Sequence, residues 1–130
     1  MNTKIIMTSS ALFLGIIGLL LSFLPNEIAA YLDIESNIIT ILFLKIMSAL
    51  YLGFGILNWM AKEALIGGIY HRPIAIGNLM HFAVGAIALV KLAINIQTHS
   101  IAIIALTIMY VIFAILFTYV FRTTPSKVTK

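Results

Sequence analysis

Residues 72–91 read RPIAIGNLMHFAVGAIALVK, and the fold turns on how this stretch is read. It has the length of a helix that crosses a bilayer, about 20 apolar residues. Between its basic ends only Asn78 and His81 are strongly polar, and they stand three positions apart. Pro73 suits a first helical turn, where its missing N–H leaves no bond unmade. The composition rules out a water-soluble home for such a segment. Of 130 residues, 62% are hydrophobic and only 9% charged, with mean hydropathy +1.14. Soluble domains are nearer half apolar and about a quarter charged. A chain this short cannot bury so many apolar side chains in a water-exposed globule. The surplus faces lipid, so residues 1–130 are expected to form a single integral membrane domain.

Four apolar runs follow from the same reading: about 5–24, 38–60, 73–95 and 101–121. Pro25 ends the first, Lys45 interrupts the second and Arg122 stops the fourth. The first run exceeds the roughly 7–15 apolar residues of a signal peptide. It also carries Thr8, Ala11, Gly15, Gly18 and Ser22 at helical spacing, a stripe that lets helices approach in lipid. It is therefore read as a retained span. In the connection PNEIAAYLDIES, Pro25 and Asn26 start a short interfacial helix whose Ile28, Tyr31 and Leu32 share an apolar face. Gly67-Gly68 reads as a turn joining spans two and three.

Charge sets the orientation. The first connection holds Glu27, Asp33 and Glu35 with no Lys or Arg, whereas Lys4, Lys62, Arg72, Arg122, Lys127 and Lys130 fall on the other side. Basic flanks stay inside, so both termini are expected in the cytoplasm. The net charge of +4 is spread around apolar runs. It fits membrane lipids as partners and not nucleic acid.

At about 100° per residue, Lys45, Ser48, Tyr51, Gly55, Asn58 and Lys62 share an arc of roughly 140° on span two. Leu42, Phe43, Ile46, Leu50, Phe54 and Leu57 lie opposite. Span three places Gly77, Asn78, His81, Gly85, Ala88, Lys91 and Asn95 together, and span four carries Thr107, Tyr110, Ala114 and Thr118. Polar and small faces turn toward protein, because lipid offers polar groups no partner. The expected architecture is all-α: a four-helix membrane bundle with a short interfacial helix between spans one and two. Within it, Asn78 and His81 are expected to face Asn58 in an uncharged cytoplasmic layer. Lys45 and Lys91 form a basic outer one.

These residues are the candidate ligand-binding set: Asn58, Asn78, His81, Lys45, Lys91, Tyr51 and Tyr110. Two amides and an imidazole suit interhelical hydrogen bonds, and they equally suit the head of a lipid or quinone or, at His81, a proton relay. Lys45 either snorkels to head groups, pairs with Glu27, Asp33 or Glu35, or flanks an anion pocket with Lys91. Tyr31 and Trp59 sit where aromatics anchor at the interface. His99 reads as a loop residue.

The absences exclude more. No Asp or Glu lies in any span, which disfavours proton-coupled pumping and paired-carboxylate catalysis. With no cysteine there is no thiolate chemistry, and the three histidines lack metal-ligand spacing. No catalytic residue and no resident cofactor is expected beyond a bound lipid or quinone.

FLP at 23–25, the connection to Tyr31-Leu32, YLGFGILNWMAK at 51–62 and GGIYHRPIAIGNLMHF at 67–82 together resemble small four-span bacterial membrane proteins of the DoxX-like and related families. The resemblance spans nearly the whole chain and implies a four-helix fold. DoxX-like proteins are associated with respiratory or thiol-linked redox complexes, and without cysteine the thiol part does not carry over. Three functions stand from the sequence: a non-enzymatic structural or accessory subunit, alone or as an oligomer; a lipid- or quinone-binding subunit using Asn78 and His81; and a small channel or carrier lined by spans two and three.

Overall fold

The computed structural model describes residues 3–64, 71–95 and 101–123. They form five helices: α1 (Thr3–Phe23), α2 (Pro25–Tyr31), α3 (Ile38–Ala61), α4 (Arg72–Asn95) and α5 (Ile101–Arg122). The described residues contain no strand. Four of the helices are long and apolar enough to cross a membrane. At 21 to 24 residues each, they measure about 32–36 Å, which matches a hydrocarbon core of about 30 Å. The protein is thus all-α and multi-pass, with a short helix between its first two spans. Each span boundary lies within two residues of the sequence reading. The Gly67-Gly68 turn, His99 and the tail residues Lys127 and Lys130 lie outside the described residues.

The chain divides into two compact units, residues 2–63 and 64–130. In the first, α1 and α3 pack as an antiparallel hairpin with α2 at its closed end. The buried positions on α1 include Met7, Ala11, Leu14, Gly18 and Leu21, and those on α3 include Leu44, Ser48, Tyr51, Gly55 and Asn58. Both follow a four-three repeat, the seven-residue period of helices that coil left-handedly about each other. Glycine brings the backbones together. A Cβ on Gly55 would stand 3.2 Å from Gly15 N and 3.3 Å from Ala11 O, and one on Gly18 would stand 3.1 Å from Leu52 N. Such approach replaces the hydrophobic drive that lipid removes.

The closed end is built from local caps. Pro25 opens α2 without a side-chain cap. Asp33 closes it at φ 56°, with Asp33 N–H donating to Ala30 O and Ile34 N–H to Ala29 O. This is the left-handed turn that usually takes glycine and tolerates Asp. Asn37 caps α3 by accepting from Thr40 N–H at 2.9 Å. The packed face of α2 is Pro25 and Ala29. Ile28 and Leu32 are half-buried and Tyr31 is exposed.

In the second unit α4 and α5 pack together. The buried positions are Ala75, Asn78, Phe82 and Ala86 on α4, and Tyr110, Phe113, Phe117 and Val120 on α5. Phe82 is the hub. Its ring stacks on Phe113 at 4.8 Å and Phe117 at 5.6 Å, and meets Tyr110 edge-on at 5.2 Å. Outside these seams the long helices expose large apolar side chains, among them Ile16, Leu50, Ile87 and Ile115. That arrangement suits a hydrocarbon solvent and not water.

Candidate functional site

Each hairpin buries polar side chains in its apolar seam, and the sequence-predicted residues divide between them. In the first, Asn58 is fully buried. Its amide donates to Ser10 Oγ at 3.0 Å, and the Ser10 hydroxyl donates onward to Met7 O at 3.0 Å. The hydroxyl is therefore used as both acceptor and donor. Ser48, also buried, donates across the seam to Gly18 O at 2.9 Å. Tyr51 is buried on the same face as Ser48, Gly55 and Asn58. These two cross-helix bonds lie at different depths of one hairpin, so together they fix its register.

In the second unit Asn78 is fully buried, and its amide donates to Ile74 O at 3.0 Å within α4. His81 is half-buried. Its Nε2 lies 3.1 Å from the Tyr110 hydroxyl, joining α4 to α5. Gly85, one turn on, makes room for that contact. A Cβ there would fall 2.7 Å from Tyr110 Cδ1, inside van der Waals contact. His81, Gly85 and Tyr110 form one device: glycine admits the ring, and the ring presents its hydroxyl to the imidazole.

Lys45, Lys91, Ala88 and Asn95 are not on the buried faces where the sequence reading put them; all four are exposed. Leu44 takes the seam position next to Lys45. The physical reason is angular: a 140° arc drawn at 100° per residue is wider than a seam that repeats every seven residues. Asn95 instead donates to Lys91 O at 2.8 Å on its own helix. Thr8, Thr107 and Thr118 likewise bond carbonyls in their own helices, as hydroxyls in spans commonly do.

At the open end of the first hairpin, Lys4 bridges to Glu63 at 2.8 Å. The Lys4 hydrogen bond holds the Glu63 carboxyl below the usual carboxylate range. Nearby, Lys62 Nζ stands 3.2 Å over the Trp59 ring, a cation–π pair at the end of the span. Among the described residues, no three His, Asp or Glu side chains gather where they could hold a metal ion.

The sequence reading did not find Ser10 or Phe82. Ser10 sits in the run Thr8-Ser9-Ser10, and only the four-three repeat through Met7, Leu14 and Gly18 would have placed it beside the seam. Phe82 carries no signal, because an aromatic ring in an apolar span looks the same toward lipid as toward protein. No protein-family model matches the chain, and neither does any curated protein or solved structure.

Proposed function

We propose that this multi-pass membrane protein is a non-enzymatic structural or accessory component of a bacterial inner membrane. The observation that carries the reading is the buried Asn58–Ser10 hydrogen bond. Two fully buried polar side chains join α1 to α3 there, and Ser48 repeats the pattern toward the closed end. Interhelical bonds of this kind are worth about 0.6 kcal/mol on average in membranes, up to about 1.7. That scale suits register and specificity. We place both termini in the cytoplasm, since the exposed acids Glu27, Asp33 and Glu35 lie on α2 and just after it while Lys4 and Lys62 lie at the opposite end of the hairpin. Kinship with DoxX-like proteins belongs to the same proposal and rests on the quoted motifs alone.

A second reading has its own support. The half-buried His81 beside the Tyr110 hydroxyl offers a hydrogen-bonding head site for a lipid or quinone within an accessory subunit. Native mass spectrometry of the purified protein separates the two readings. The structural reading expects no stoichiometric quinone or lipid that depends on His81, and a His81→Ala variant that loses stability only. A stoichiometric molecule that vanishes in that variant overturns it. For the orientation, an impermeant thiol reagent applied from outside should label Ser36→Cys and spare Gly67→Cys; the reverse pattern refutes it.

A further inference from the structure

Lys45 is an exposed cation seven residues into α3. It takes part in no ion pair, hydrogen bond or ring contact among the described residues. Its neighbours one turn away on the helix are Ile41, Leu42, Ser48 and Ala49; Leu42 and Ala49 are exposed and the Ser48 hydroxyl is spent on Gly18 O. From the start of α3 its Cα lies about 10 Å along the axis. The helix exceeds the hydrocarbon core by about 6 Å. With about half of that excess at each end, Lys45 Cα lies about 7 Å beneath the boundary. A snorkelling four-carbon stem covers most of that depth, and the first anion it reaches is a lipid phosphate.

The charges in the connection at the closed end, toward which that lysine reaches, select the head group. Glu27 on α2 and Asp33 and Glu35 after it are all exposed, and residues 25–37 hold no Lys or Arg. A head group with surplus negative charge would carry it among three carboxylates. A zwitterionic one places its ammonium there, outboard of the phosphate.

We propose that the closed end of the first hairpin seats a zwitterionic phospholipid, with Lys45 on the phosphate and the Glu27, Asp33 and Glu35 side facing the ammonium. The inference rests on the chain's spanning a bilayer. Alkaline extraction of the reconstituted vesicles tests that premise separately, because a peripheral protein is released whatever lipid it prefers.

The test is native mass spectrometry of the full chain from vesicles of equal phosphatidylethanolamine and phosphatidylglycerol. Wild type should retain phosphatidylethanolamine in excess. Lys45→Met should lower that retention about fivefold, the effect of one lysine at an anionic surface, and Lys45→Arg should keep it. The triple change Glu27→Gln, Asp33→Asn, Glu35→Gln should abolish the preference while phosphate-dependent retention survives. Retention unchanged in Lys45→Met, or phosphatidylglycerol preferred by wild type, overturns the proposal. Circular dichroism on each variant confirms that the helices persist, so that lost retention reports the site.

Discussion

In the first hairpin backbone meets backbone at Gly15 and Gly55, and side-chain hydrogen bonds cross from Asn58 to Ser10 and from Ser48 to Gly18. In the second, rings fill the space: Phe82 lies against Tyr110, Phe113 and Phe117, and a cross-helix hydrogen bond joins the Tyr110 hydroxyl and His81 Nε2. The same task, holding two apolar helices together in an apolar solvent, is met by opposite residue types. Lipid tails are as apolar as leucine, so burial alone gives neither hairpin an advantage. One gains dispersion by close approach of small residues, the other by the area and polarizability of stacked rings. The first should tolerate no added volume at its seam, and the second no lost volume.

That contrast breaks most sharply at its centres. Phe82→Ala should destabilise the second hairpin by about 3 kcal/mol, the scale of an emptied aromatic site. Gly55→Val should do comparable damage to the first by forcing α1 off α3, at about 2–3 kcal/mol for overpacking. Unfolding in mixed micelles, followed by circular dichroism, measures both. Equal tolerance of added volume in the two hairpins would erase the distinction.

At Gly85 the second hairpin borrows the device of the first. Gly85→Ala should expel the Tyr110 ring and cost about 2 kcal/mol. Tyr110→Phe, which removes only the hydroxyl, should cost about 1 kcal/mol or less. The ordering of these two variants in the same unfolding assay is the informative result. If Tyr110→Phe costs more, the hydrogen bond and not the ring packing holds α4 to α5.

The smallest effect is expected at the exposed Lys4–Glu63 pair. Lys4 stabilises the charged carboxylate, so Glu63 releases its proton more readily in the folded hairpin than in the unfolded chain. Its contribution is therefore present above the ordinary carboxylate pKa and fades as pH falls through the lowered folded value. Glu63→Gln should flatten that part of the pH–stability profile and leave stability near neutral pH almost unchanged, because exposed pairs are worth little.

The spans were legible because hydropathy, Pro25 and Arg122 mark them without reference to any partner. Much of the α3 seam was legible too, since Ser48, Tyr51, Gly55 and Asn58 are polar or small among leucines. What escaped depends on pairing. Asn58 is visible as a polar residue needing a partner, but Ser10 becomes that partner only when the antiparallel register is set. Lys45 shares the helical arc of Ser48 and Tyr51 yet stands exposed outside the seam, because an arc in helical angle is wider than the line of contact. The aromatic seam was invisible for a simpler reason: Phe82 and Phe117 are as acceptable to lipid as to each other.

Buried polar side chains serve as the fasteners of the first hairpin, and the Ser10–Asn58 pair tests this most directly. A double-mutant cycle of Ser10→Ala, Asn58→Ala and the combination, read as unfolding free energy in mixed micelles, isolates their coupling. A favourable coupling of about 0.6–1.7 kcal/mol is expected, the range for interhelical hydrogen bonds in membranes. Strict additivity, with each change costing the same whether or not the other is present, would contradict it.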